Sequence, residues 1–177
     1  MHLTLIGMRG SGKTTVGRIV ALALKRPFVD TDEWIARTTG RTIAELIVGL
    51  GEPGFRKIES DAITEALGNP HKVIALGGGG VLSGANRERL RAGGFCVWLR
   101  ASAETLAGRV RNDPATAAQR PSLTGGDAIS EIAEILESRN HLYASTSHAT
   151  IDVDQSTPDQ VASAILSLFA TYQPLPS

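Results

Sequence analysis

Residues 7–14 read Gly-Met-Arg-Gly-Ser-Gly-Lys-Thr. No other stretch restricts the possible folds so tightly. A glycine, four residues and then Gly-Lys-Thr is the pattern of a P-loop, in which the backbone wraps around phosphate groups. The motif needs a buried strand before it and a helix after it, and the flanking residues suit both. His2–Gly7 is a short, nearly continuous apolar run, and Val16, Ile19, Val20 and Ala23 recur at i, i+3, i+4 and i+7, one buried stripe of a helix. Consecutive N–H groups at the start of that helix would point into the wrap. The expected phosphate-binding residues are therefore Gly10, Ser11, Gly12, Lys13, Thr14 and Thr15. Lys13 is expected to reach the β- and γ-phosphates, and the Thr14 hydroxyl to ligate Mg²⁺.

The rest of the chain extends this opening into an α/β domain. Further apolar runs at Pro27–Asp32, Val73–Leu76, Cys96–Leu99 and Ala149–Val153 alternate with helical patterns at Thr42–Leu50, Arg56–Leu67, Ala85–Ala92, Ala103–Arg111, Ile129–Thr146 and Pro158–Tyr172. Such alternation predicts a three-layer α/β arrangement around a parallel sheet with right-handed crossovers. One domain over residues 1–171 is expected, with a loose tail at 172–177. Two stretches depart from the pattern. Residues 33–68 form a helical insertion longer than one crossover needs, and residues 112–127 are polar with two prolines and a Gly-Gly pair, which reads as a long functional loop.

Eighteen basic and eighteen acidic residues cancel, so there is no global field to draw in nucleic acid or a membrane surface. The apolar run before the first glycine is too short for the core of a signal peptide, and no stretch approaches the ~20 apolar residues of a membrane span. A cytoplasmic protein is expected, acting as a monomer on small molecules. The single Cys96, within Phe-Cys-Val-Trp-Leu, reads as a buried structural thiol, and the four histidines have no zinc-ligand spacing with it. The base-reading Asn-Lys-x-Asp of GTPases is absent. What remains is a small kinase, which must hold a second substrate in line with the γ-phosphate.

Candidates for that second site follow in chain order. Asp30 and Asp32 end the second apolar run. On a strand they would share one face near the metal and the γ-phosphate, because ligands of open α/β sheets bind beyond the carboxyl ends of strands. The plainer alternative is that Asp32 caps a helix over Glu33–Arg37 while Asp30 is solvated. Arg56 stands near a helix start with Glu59 three residues on to orient it, a pairing suited to gripping a carboxylate or to a surface salt bridge. Four glycines, Gly77–Gly80, follow the third strand, more than a plain turn needs, and suggest that the backbone approaches something closely. Arg120 lies in the long loop, a plausible lid over the phosphates. Arg139, taken alone, reads as part of a solvated helix face.

Taken together, GMRGSGKTTVGR, FVDTD, TGRTIAELI, GEPGFRKIE, ALGGGGV, QRPSL and SRNHLY occur in the order seen in shikimate kinases, and the chain resembles that family over nearly its whole length. The resemblance implies a fold like that of nucleoside monophosphate kinases, with a five-stranded parallel sheet of order 2-3-1-4-5. It also implies transfer of the γ-phosphate of ATP, with Mg²⁺, to the 3-hydroxyl of shikimate in aromatic amino-acid biosynthesis. By the same resemblance, Asp32 binds the acceptor hydroxyls and acts as base or orienter, and Asp30 holds the magnesium shell. Arg56 and Arg139 grip the shikimate carboxylate, and Gly77, Gly78 and Gly79 meet the substrate, with the Gly78 N–H foremost. Arg120 contacts the ATP phosphates, the adenine-side arginine is Arg109 or Arg111, and Ser156 offers the nucleotide its backbone. The chain departs from the family in Arg139-Asn-His-Leu-Tyr, where the proline of Arg-x-Pro-Leu-Tyr is replaced by His141. A gluconate kinase would share the P-loop but not the Asp-Thr-Asp, Gly-Glu-x-x-Phe-Arg and triple-glycine set.

Overall fold

The computed structural model describes residues 1–68, 71–112 and 128–173. Strands β1 (His2–Ile6), β2 (Phe28–Asp30), β3 (Val73–Ala75), β4 (Gly94–Arg100) and β5 (Ala149–Asp152) form one five-stranded sheet of order β2-β3-β1-β4-β5, with all pairs parallel. Its helices are α1 (Lys13–Leu24), α2 (Thr31–Thr39), α3 (Ile43–Gly68), α4 (Gly84–Gly93), α5 (Ala103–Arg111), α6 (Ala128–Thr146) and α7 (Pro158–Thr171).

Strand alternation divides the core into two layers. Leu3 and Leu5 of β1, with Phe95, Val97 and Leu99 of β4, pack against Val16 and Val20 of α1, Leu106 and Val110 of α5, and Val161 and Ile165 of α7. Ile6, Cys96 and Trp98 face the opposite way, onto Ile63 of α3, Leu90 of α4 and Tyr143 of α6. Central strands covered on both faces need the near-continuous apolar runs seen in the sequence. Cys96 is the buried thiol expected, and burial pushes its pKa up to about 12. The insertion between β2 and β3 has a small core of its own, where Ile35, Ile43, Leu46, Phe55 and Ala62 gather. Gly51, at φ 69° and ψ 168°, breaks α3, so the segment holding Arg56 leaves at a new angle from the one starting at Ile43.

The second strand differs from expectation in one consequential respect. It stops at Asp30, and Thr31 already begins α2. Asp30 and Asp32 therefore do not share a strand face, and the helix cap is Asp30 rather than Asp32. Asp30 Oδ1 accepts the backbone N–H groups of Asp32 at 2.9 Å and Glu33 at 3.2 Å. A carboxylate at a helix start both satisfies free N–H groups and meets the positive end of the helix dipole.

Candidate active site

The P-loop connects β1 to α1 as the motif requires. Gly12, at φ 90°, is the N-cap of α1, a left-handed conformation that glycine adopts without strain. At Gly7 a Cβ would come within 2.5 Å of the Leu99 carbonyl, so the loop's first residue has to lack one. Lys13 is buried, with Nζ donating to the carbonyls of Gly7 and Met8, each at 2.9 Å. Its ammonium thus lies inside the loop. Burial lowers its pKa from 10.5 to about 8 against the pull of Asp32 and Asp30.

Ser11 is buried, and its hydroxyl has no hydrogen-bond partner among the described residues. An orphaned hydroxyl just before the N-terminus of α1 fits a site built for phosphate oxygens. Thr14 is half-buried and Thr15 exposed at the start of α1. Thr14 Oγ1 donates to Asp30 Oδ2 at 2.6 Å, so one aspartate joins the end of β2 to the P-loop. One hydroxyl and one carboxylate are hard oxygen donors of the kind Mg²⁺ takes when it keeps waters and substrate phosphates as its other ligands. The residues present therefore fit ATP and the ion.

Arg109 is half-buried and donates to Gly10 O at 3.4 Å and Val153 O at 2.7 Å. It links the P-loop to the turn after β5, whereas Arg111 is exposed. Ser156, half-buried, lies in that same turn just ahead of the Thr157 cap of α7. The Asp154 carboxylate, which the sequence reading passed over, accepts the Ser102 N–H at 3.0 Å and fixes the turn to the start of α5. Arg120 falls outside the described residues, as do residues 113–127 of the expected lid.

The candidates for the second site gather around the glycines after β3. Gly80 N–H donates to Gly77 O at 3.0 Å, closing a tight turn. A Cβ on Gly77 would collide with the Asp32 carboxylate, and one on Gly79 with the Arg56 guanidinium. No positive φ is involved at these positions. Their glycines allow charged side chains to lie directly on the backbone. Asp32, first-turn residue of α2, is thereby brought against the turn from one side and Arg56 from another.

Arg56 is held firmly. Nη1 pairs with Glu59 at 2.7 Å and Nη2 with Glu52 at 2.8 Å, and the Glu59 side chain is only 3% exposed. Burial opposes the Arg56 charge, but the two carboxylates outweigh it and hold its pKa above the ordinary value. Arg56 thus makes one buried ion pair, with Glu59, and one surface pair, with the 63% exposed Glu52. Arg139 is half-buried on α6 and points at the same turn, with Nη1 to Gly78 O at 3.5 Å. This contrasts with the solvated face expected of it alone.

Two contacts to this turn escaped the sequence reading. The buried Thr31 hydroxyl accepts Gly77 N–H at 2.8 Å, and Tyr143 OH donates to Gly78 O at 2.6 Å. Tyr143 lies four residues after Arg139, a spacing that puts both on one helix face and could have revealed it. Thr31, between the two aspartates, has no comparable signal.

The comparisons with known proteins agree with this geometry. The shikimate kinase family model matches residues 9–170. The chain is 47% identical over 165 residues to shikimate kinase 2 of Sodalis glossinidius, covering 93% of each chain. It is 40% identical over 166 residues to shikimate kinase of Symbiobacterium thermophilum, covering 94% of each. Among solved structures, shikimate kinase from Acinetobacter baumannii in complex with shikimate superposes with a TM-score of 0.89 at 35% identity, over 96% of this chain and 93% of that one. A gluconokinase from Sinorhizobium meliloti, at a TM-score of 0.63 and 19% identity, shares the fold alone. The five-stranded order inferred by resemblance is the one observed, and the chain belongs to the shikimate kinase family of ATP-dependent phosphotransferases.

Proposed function

We propose that this chain phosphorylates the 3-hydroxyl of shikimate, and that its charged residues divide the work between the two ends of the acceptor. The observation that carries the reading is the convergence of Asp32, Arg56 and Arg139 on one glycine turn, next to an aspartate hydrogen-bonded to the P-loop threonine. Arg56 and Arg139 grip the acceptor's carboxylate, where planar guanidinium groups give directional, charge-assisted hydrogen bonds. Glu59 and Glu52 fix Arg56 in advance, so less freedom is lost on binding. Backbone N–H groups of Gly78 and Gly79 face the acceptor's ring.

Asp32 takes a hydrogen bond from the 3-hydroxyl and aims its oxygen at the γ-phosphorus. As the new O–P bond forms, the bond to the bridging oxygen of ADP breaks. The hydroxyl proton passes to Asp32, or stays on the oxygen until late, since a loose transition state demands little base strength. Lys13 follows the β- and γ-phosphates, while the N–H groups of Gly10, Ser11, Gly12, Thr14 and Thr15 hold them in the wrap. Thr14 would bind Mg²⁺ and Asp30 its water shell, and the ion when bound neutralises charge on the transferring phosphoryl group. Arg109 and the backbone at Ser156 serve the adenine side, and Arg120 serves the phosphates.

In this account residues 1–171 form one catalytic domain, with 33–68 as the acceptor-binding insertion. The enzyme works in the cytoplasm as a monomer, on small molecules rather than nucleic acid or membrane. The cancelling charges support the last part, as does the finding that no helix of the described residues is long and apolar enough to cross a membrane. ADP release with ATP·Mg²⁺ should be rapid with shikimate and at background with gluconate or nucleoside monophosphates. Equal turnover with gluconate would overturn the assignment of the acceptor.

A further inference from the structure

Tyr143 and Arg139 share a single acceptor. Tyr143 is the largest of the fully buried side chains, and its ring stacks on Trp98 with centroids 5.7 Å apart. Its hydroxyl donates to Gly78 O at 2.6 Å, while Arg139 Nη1 reaches the same oxygen at 3.5 Å. The hydroxyl and the Arg139 guanidinium thus meet at one oxygen of the glycine turn, the turn on which Arg56 also lies. The short bond comes from the tyrosine and the long one from the arginine, although a charged donor ordinarily makes the stronger contact.

This inequality has a use. A carbonyl whose only donor is a guanidinium competes with any ligand for that guanidinium, because moving the donor leaves the carbonyl unpaired. With Tyr143 holding Gly78 O, Arg139 can turn to a carboxylate without that cost. Resting on the clamp reading above, we propose that Tyr143 is a positioning residue for acceptor binding, which satisfies the Gly78 carbonyl so that Arg139 is released to the acceptor's carboxylate. It touches neither substrate nor nucleotide and acts through Arg139.

The test is a double-mutant cycle read by calorimetric titration of shikimate, with unfolding midpoints and steady-state kinetics on the same four proteins: wild type, Tyr143→Phe, Arg139→Ala and the double variant. Phenylalanine keeps the ring that stacks on Trp98 and removes only the hydroxyl. The proposal expects Tyr143→Phe to raise the shikimate Kd and KM about fivefold, with kcat within about twofold of wild type. Arg139→Ala should raise Kd at least tenfold. In that background Tyr143→Phe should add less than about twofold, since the residue it releases is already gone. A lowered unfolding midpoint with wild-type Kd would make Tyr143 merely structural and overturn the proposal, as would factors that multiply in the double variant. If Arg139→Ala itself left Kd unchanged, the clamp reading would fail and the proposal with it. If Tyr143→Phe were too unstable to titrate, the proposal would be judged on Tyr143→Phe kinetics in saturating ATP at low temperature. An unchanged shikimate KM there would overturn it equally.

Discussion

The Thr14 hydroxyl donates to Asp30 Oδ2 at 2.6 Å, while Oδ1 of the same carboxylate caps α2. One side chain thus fixes the P-loop, the end of β2 and the start of α2. The two roles can be separated, because asparagine caps helices about as well as aspartate but carries no charge.

Asp30→Asn should keep the α2 cap and lower stability only modestly, by about 0.3–1 kcal/mol for the lost charge at the helix start. Its Mg²⁺ requirement should rise on the order of tenfold or more, as for other residues that support a metal's ligands from outside. Titrating activity against Mg²⁺ at fixed ATP checks this. An unaltered Mg²⁺ curve would limit Asp30 to capping.

Asp32→Asn tests the residue proposed to take the hydrogen bond of the acceptor hydroxyl. Its carboxylate lies on Gly77, in the first turn of a helix capped by a different residue, so the fold should tolerate the amide. Turnover should fall by roughly 10²–10⁴, the scale of a positioned proton acceptor. Steady-state ADP release measures it, and near-wild-type kcat would remove Asp32 from the mechanism.

Lys13 makes the nucleotide site sensitive to pH. Its folded pKa of about 8 lies below the ordinary 10.5, so between those values the unfolded chain binds more protons than the folded one. The burial penalty is therefore fully present below pH 8, and stability from this group rises as pH climbs toward 10.5. Activity moves the other way. In the free enzyme the ammonium is lost above pH 8, so kcat/KM for ATP should fall there by up to about tenfold per pH unit. Bound phosphates restore the charge, so kcat should hold over the same range. A flat kcat/KM for ATP from pH 7 to 9.5 would contradict this.

Much of this site could be read from residues whose chemistry depends on local order. The P-loop spells out its own backbone path, and Gly77–Gly80 announced a close approach that proved to be Asp32 and Arg56 lying on the turn. The strand and helix periods gave the layers, because side chains of β1 and β4 alternate between two cores. What the sequence hid depends on where one element yields to the next. Asp30-Thr31-Asp32 reads equally well as strand end or helix start. The choice is made by a carboxylate that binds both Thr14, sixteen positions earlier in the chain, and the N–H groups beside it. Arg139 was misjudged alone for a similar reason: its face is defined by Tyr143 and a turn 61 residues away.

The proposed mechanism needs a carboxylate-bearing acceptor against the glycine turn, in the grip of Arg56. Isothermal titration of shikimate into wild type and Arg56→Ala tests it most directly. Removing the arginine also strips Glu59, only 3% exposed, of its partner, so each protein's fold must be verified by its unfolding midpoint. The account predicts weaker shikimate binding by roughly 1.5–3 kcal/mol, the worth of a charged hydrogen bond, with the affinity for an ATP analogue unchanged. Equal shikimate affinity in a folded Arg56→Ala protein would contradict it.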